Sequence, residues 1–208
     1  VGHSSAVLQA NSQMNLTRLT DKNAVLELHI ADSATALRAL GDLPSGEIVD
    51  IGSGAGYPGF IVQILTGRRV TLVESVQKKA TFLEQTARAL HLPIEVMADR
   101  AEHVANSHAE RYICVVARAV SSLPALVELA SPLLALGGRL VAMKGPMDVD
   151  ELRRGANAAR LCGMSTVLLD EFQLPHGEKR SIAVFTKLGA AQVSLPRRSG
   201  FAQRHPLG

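Results

Sequence analysis

The stretch Glu47 to Gly59, E-I-V-D-I-G-S-G-A-G-Y-P-G, constrains the fold of this chain more than any other. Glu47 to Ile51 is short and mainly β-branched, the composition of a buried strand, with Asp50 near its end. Gly52, Gly54 and Gly56 then alternate, so the backbone can turn tightly and come close to a ligand with no Cβ in the way. Pro58 follows at the expected first turn of a helix, Phe60 to Thr66, where a missing N–H is least harmful. Strand, glycine turn and helix together predict a cradle for a nucleotide-type cofactor, with the helix N–H groups open to its polar end.

Two cofactor classes fit that cradle. Gly54 to Gly59 matches the G-x-G-x-x-G spacing of dinucleotide enzymes, a weak signal when taken alone. Asp50, two residues before Gly52, extends the pattern to D-x-G-x-G-x-G, which resembles the form class I S-adenosylmethionine methyltransferases use for the amino-acid end of the cofactor. Glu74 closes the next apolar strand, Val70 to Val73, and a carboxylate there accepts ribose hydroxyls from either cofactor. Asp50 carries the discrimination, then, and favours S-adenosylmethionine, while Glu74 supports both.

Downstream the apolar pattern keeps alternating between strand and helix. Helix Val76 to Leu90 leads to strand Ile94 to Met97 and to Asp99-Arg100-Ala101-Glu102 at the ligand-facing edge of a parallel sheet. A fourth strand, Tyr112 to Val116, runs into Ala117-Arg118-Ala119. An arginine leaving an apolar run must find a partner or open into a cleft. Pro132 is expected to break helix Leu123 to Ala135 near Ser131. Gly137-Gly138 opens a fifth strand, Arg139 to Met143, which is followed by Lys144. Helix Val149 to Leu161 and two strands, about Ser165 to Phe172 and Ser181 to Lys187, complete an antiparallel end. The fold predicted is α/β: a class I methyltransferase, Rossmann-like sheet of seven strands with the last strand antiparallel.

The 208 residues, 47% of them hydrophobic, suffice for one domain. It is divided into an amino-terminal helical extension (1–46), a Rossmann-like core (47–188) and a carboxy-terminal tail (189–208). Residues 1 to 20 are polar with little periodicity. From Asp21, capped by Asp21 or Asn23, an amphipathic helix is expected to align Val25, Leu28 and Ala31 and to carry His29, Asp32 and Ser33. No apolar run approaches the roughly 20 residues of a membrane span. Cys114 and Cys162 lack metal-ligand spacing and read as small core residues of a reduced, cytoplasmic protein. No metal site is expected. Charge is unevenly placed: His176 to Gly208 carries six basic residues against one acid, a net of +5, so the remainder carries −2 of the chain's +3. A polyanion such as nucleic acid suits that end.

Several separated segments, in order along nearly the whole chain, resemble the bacterial glucose-inhibited division protein B family. They are M-N-L-T (Met14 to Thr17), H-I-A-D-S (His29 to Ser33), D-I-G-S-G-A-G-Y-P-G (Asp50 to Gly59), R-A-E (Arg100 to Glu102), A-R-A-V (Ala117 to Val120), G-G-R-L-V-A-M-K-G (Gly137 to Gly145) and L-P-R-R-S-G-F-A-Q-R-H-P-L (Leu195 to Leu207). The resemblance implies methylation of N7 of a guanine in the decoding-region loop of 16S rRNA, free or within the 30S subunit, by a monomer using S-adenosylmethionine. It places Gly52, Tyr57, Ala101, Glu102 and Arg118 at the cofactor, beside Asp50, Gly54, Gly56 and Glu74 from the fold-level reading. No catalytic general base is implied. His29, Asp32 and Lys144, together with Arg118 itself, become candidates for positioning the guanine, and Arg197, Arg198 and Arg204 for gripping RNA phosphates. A small-molecule methyltransferase and a non-catalytic ribosome-assembly factor stand as alternatives.

Overall fold

A computed structural model describes residues 2–14, 16 and 26–208. A single seven-stranded sheet has the order β3-β2-β1-β4-β5-β7-β6. Its strands are β1 (Ile48–Ile51), β2 (Val70–Val73), β3 (Ile94–Met97), β4 (Tyr112–Arg118), β5 (Leu134–Lys144), β6 (Leu168–Gln173) and β7 (Lys179–Thr186). The first five pair in parallel, and β7 lies antiparallel between β5 and β6, as the alternating pattern and terminal hairpin predict. Every residue of β1 and β2 is buried, because a parallel sheet is covered on both faces.

Helices supply that cover. They are α1 (Gly2–Met14), α2 (Asp32–Ala34), α3 (Gly59–Thr66), α4 (Gln77–Ala89), α5 (Ala101–Ser107), α6 (Leu123–Ala130), α7 (Val149–Leu161) and α8 (Phe201–Arg204). The two-residue period of β1 divides it between two cores. Val49 and Ile51 pack with residues of α5, α6 and α7, whereas Ile48 packs with residues of α1, α3 and α4. Asp50 therefore faces the α3 side, directly under the glycine turn. The strand order reverses beside β1, between β1 and β4, which opens the crevice used by doubly wound sheets for ligands.

The break expected near Ser131 is met, and two other boundaries depart from expectation. Helix α6 stops at Ala130 and becomes a 3₁₀ turn, Ser131–Leu133, since Pro132 cannot donate to the α-helical ladder. Strand β5 begins at Leu134 rather than Arg139. Leu134 pairs with Tyr112, the register then jumps to Cys114 opposite Arg139, and Gly137 (φ +79°) makes the excursion between them. The glycines lie inside the strand and do not open it. At the amino end, the polar stretch forms α1, held by burial of His3, Ser4 and Val7 rather than by periodicity. Of the second predicted helix, Asp21, Asn23 and Val25 lie outside the described residues. Its later part is a π-helical segment, Leu26–Ala31, continuing into α2 and a 3₁₀ turn, Thr35–Ala39. Both cysteines are fully buried core residues, and burial pushes each thiol up to about 12.

Candidate functional site

The glycine turn is locked from beneath. Gly52 adopts φ +69°, a backbone region that L side chains rarely enter. A Cβ on Gly59 would lie 2.2 Å from Leu72 and 2.7 Å from the Asp50 carboxylate, so only glycine lets α3 start this close to the sheet. Asp50 accepts a hydrogen bond from the Gly59 N–H (2.9 Å), and Phe60 N donates to Gly56 O (3.0 Å). The α3 amino terminus therefore closes on its own protein, a correction to the expectation that its N–H groups stand open to a ligand. Asp50 braces the turn from a position with no exposure, and its Oδ1 is buried without a hydrogen-bond partner.

Burial raises the Asp50 carboxyl to about 7 from an ordinary 3.8, opposed in part by the Gly59 N–H and by Arg118. A folded-state pKa above the unfolded one stabilises fully below the unfolded pKa, and that stabilisation is lost as pH rises through the folded pKa. Asp50→Asn, which keeps an acceptor for Gly59, is therefore expected to melt above the parent protein at pH 8 and level with it near pH 4. Thermal melts at the two pH values check this. A variant that melts lower at pH 8 would show that the ionised carboxylate is needed to hold the turn.

Glu74 is the second brace. Its Oε2 accepts from Gly54 N (2.9 Å) and its Oε1 from Val76 N (2.8 Å). From the other side α1 reaches in. His3 Nε2 donates to Ala55 O (2.8 Å), and its ring stacks on Phe60 at 4.3 Å. Tyr57, 3% exposed, lies at the centre of this packing: its ring meets His3 at 4.7 Å, stacks with His29 at 4.6 Å and lies 5.4 Å from the Arg118 guanidinium.

Two clefts open at the carboxyl edge of the strands. The first, about 220 Å³, runs from Gly52 past Ser75 to Asp99, Ala101 and Glu102, between the apolar walls of Ile51, Val73, Val120 and Leu129. Apolar walls with hydroxyl and carboxylate groups at the rim suit an adenosine. The second, about 350 Å³, is lined by His29, Asp32, Arg118, Lys144 and Arg180, with Leu28, Ala119, Met143 and Gly145. Arg118 ends β4, and Ala119 just after it is held at φ +56°, a strained conformation for a residue with a Cβ, where the chain swings from one cleft to the other.

Arg118 organises the second cleft. It donates to Leu28 O (3.0 Å) and Asp32 Oδ2 (3.2 Å), and lies 3.0 Å from His29 Nδ1. Burial first, and Arg118 next, push the His29 imidazole down to about 4, so it is neutral at physiological pH. Neutral His29 with its proton on Nε2 accepts at Nδ1 from Arg118; the same Nδ1 cannot then donate to Leu28 O at 3.1 Å. Arg180 from β7 also reaches Asp32 Oδ2 (3.2 Å), so two guanidinium groups converge on one buried carboxylate. Lys144 pairs with Glu151 (2.6 Å) and donates to Ser121 O (3.0 Å).

The sequence candidates thus divide by place. His29, Asp32, Lys144 and Arg118 share the second cleft. Gly52, Ala101 and Glu102 line the first. Asp50, Gly54, Gly56, Tyr57 and Glu74 form the frame that holds both. In the tail, Arg198 and Arg204 are exposed, whereas Arg197 makes a two-pronged ion pair with Glu128, itself 2% exposed, and faces the Phe201 ring at 4.6 Å. Two residues carry no sequence signal of their own. Arg180 counts only as tail charge, although the antiparallel pairing of Lys144 with Ser181 sets it beside the cleft. Gln203 of α8 lines the first cleft from the tail.

A family model described as rRNA small subunit methyltransferase G matches residues 2–182. Proteins named ribosomal RNA small subunit methyltransferase G are similar over nearly the full chain. That of Pelotomaculum thermopropionicum is 38% identical over 98% of this chain and 87% of its own length; that of Deinococcus radiodurans is 40% identical over 97% and 82%. Among solved structures, a geranyl diphosphate methyltransferase in complex with GPP and sinefungin superposes with a TM-score of 0.61 at 15% identity, covering 76% of this chain and 77% of that one. TrmN from Thermus thermophilus gives 0.56 at 19% identity over 75% and 48%. These two likenesses concern the fold.

Proposed function

Because the chain belongs to the rRNA small subunit methyltransferase G family, we propose that this rRNA methyltransferase modifies N7 of one guanine in the decoding-region loop of 16S rRNA. The observation that carries the reading is the pair of clefts on either side of the turn at Ala119 and Val120, just after Arg118: one shaped for an adenosine, the other lined by groups that read a guanine edge. S-adenosylmethionine, when bound, supplies a methyl group activated on a sulfonium.

The residues of the first cleft fit that cofactor. Ala101 and Glu102 would lie by the adenosine and Gly52 by the turn. A carboxylate offers about four acceptor sites, and Glu74 uses two on backbone N–H groups, which leaves capacity for ribose hydroxyls. Asp50 and Tyr57 hold the turn in place for it, and the unpartnered Asp50 Oδ1 is an acceptor suited to an ammonium.

In the second cleft, Lys144 and Arg180 are donors for guanine O6, and Asp32 is an acceptor for the N1–H and amino groups. Guanine N7 is unprotonated near neutral pH, so no side chain has to remove a proton. Neutral His29 then serves as a packed wall and hydrogen-bond partner. What the protein contributes is orientation and the exclusion of water, worth several powers of ten in rate. Duplex RNA hides N7 in a deep, narrow groove, so the target is presented unpaired or flipped into the cleft.

Incubation with radiolabelled S-adenosylmethionine and unmodified 30S subunits or free 16S rRNA, followed by mass-spectrometric mapping, tests the reading. Label on one guanine N7 is expected; label on another atom or another RNA overturns it. The exposed Arg198 and Arg204 are the proposed phosphate partners in the tail, with Arg197 anchoring the platform that carries them. Replacing both with alanine is expected to weaken RNA binding and to flatten the log–log salt slope by roughly 0.7 for each phosphate left unneutralised on a single strand. An unchanged slope from filter binding at several salt concentrations would remove the tail from the RNA interface. An rRNA target places the protein with ribosomes in the bacterial cytoplasm, and among the described residues no helix is long and apolar enough to cross a membrane.

A further inference from the structure

The tail does more than carry charge. It is docked against the rim of the first cleft by residues of the rim itself. Glu102 Oε1 accepts from Gly200 N (2.6 Å) and from Arg100 (3.2 Å), while Ser199 Oγ bonds His103 Nε2 (2.7 Å), whose Nδ1 lies 2.8 Å from Asp99 Oδ1. Asp99 and Glu102 both line the cleft. Behind this rim Ala202 is buried to 2% exposure among residues of α6 and α7, and Arg197 holds Glu128 of α6. With Ala202 anchored inward, the exposed Gln203 beside it is carried to the mouth of the cleft, which it lines.

We infer that Gln203 is a cofactor-contacting residue, the tail's contribution to the adenine end of the S-adenosylmethionine site. This rests on the first cleft being the cofactor site. Among the residues lining that cleft, Gln203 carries the one carboxamide, a group that both donates and accepts. Adenine presents the matching pair, an amino donor at N6 beside ring-nitrogen acceptors, which glutamine reads with two parallel hydrogen bonds. The carboxylates of Asp99 and Glu102 accept only, and both are already bonded to tail or helix groups. The cofactor site is therefore completed by Gln203, from a segment far downstream of the strands that frame it.

The test is titration calorimetry of the full chain and of Gln203→Ala with S-adenosylhomocysteine and with its inosine analogue, which has oxygen in place of the 6-amino group. Gln203 is exposed, so the thermal midpoint of the variant should match the parent's. The parent is expected to bind the adenine compound more tightly than the inosine one. Gln203→Ala should raise the Kd for the adenine compound about five- to tenfold, in the range of one or two hydrogen bonds, and leave the inosine compound nearly unaffected. Equal weakening for both compounds would show that Gln203 does not read the base, and no change for either would remove it from the site; each overturns the inference while leaving the cofactor reading intact. A parent protein that binds neither compound overturns both.

Discussion

Arg118→Lys is expected to lower methyl transfer about a hundredfold, the scale at which misplacing a reacting group by about an ångström acts, while the fold is retained. The substitution keeps the charge and loses the geometry. The guanidinium reaches three groups at once, Leu28 O, Asp32 and His29, and lies over the Tyr57 ring. A lysine ammonium is a compact point charge that cannot span them in one plane. Asp32 would then be held by Arg180 alone, and the His29 ring would lose the donor that fixes its tautomer. Because Arg118 also helps hold the His29 imidazole near 4, Arg118→Ala should let that pKa climb toward the ordinary 6.5, a shift readable by proton NMR of the imidazole. Turnover within fivefold of the parent for the lysine variant would mean that charge alone suffices and that the second cleft does not orient the base.

Glu128→Ala is expected to produce the largest loss of stability. Glu128 is 2% exposed, carries both prongs of the Arg197 pair and accepts from Leu207 N (3.4 Å). Removing Glu128 takes both charge-assisted hydrogen bonds from the half-buried Arg197 and the acceptor from Leu207 N, at a cost of about 2–3 kcal/mol, or roughly 5–10 °C in thermal midpoint for a domain of this size. The release should be directional: limited proteolysis would cut the tail first, and S-adenosylhomocysteine binding would weaken with it because Gly200 and Gln203 leave the rim of the first cleft. The paired change Glu128→Leu with Arg197→Leu removes both charges and should recover most of the stability, since apolar residues in place of both members of a largely desolvated ion pair are near neutral. If the alanine variant melts within a degree or two of the parent, the tail is not anchored through this pair.

Much of this protein follows from local rules that need no knowledge of what lies across the fold. A short, mainly β-branched run makes Ile48–Ile51 a buried strand, positive φ requires glycine at Gly52, and Pro132 ends the hydrogen-bond ladder of α6. The order of strands and helices, the glycine turn and the edge of the sheet that carries the site are legible for that reason. So is the grouping of His29, Asp32, Arg118 and Lys144, although it required matching separated segments to a family rather than periodicity. Partnership between distant residues is another matter. Nothing in the sequence near Arg197 marks it as the mate of buried Glu128, 69 positions away, when its neighbour Arg198 stays exposed. Arg180 reads as one more tail charge until the antiparallel pairing of β5 with β7 sets it across from Asp32. The polar amino end shows no helical period, yet burial of His3 and Val7 makes it a helix that clamps the glycine turn. A backbone conformation is set by residues within a few positions, so sequence determined the elements. A charge or amide acquires its role from whatever the packed chain brings within hydrogen-bonding reach of it, so tertiary structure alone decided which side chains read a ligand and which hold the protein together.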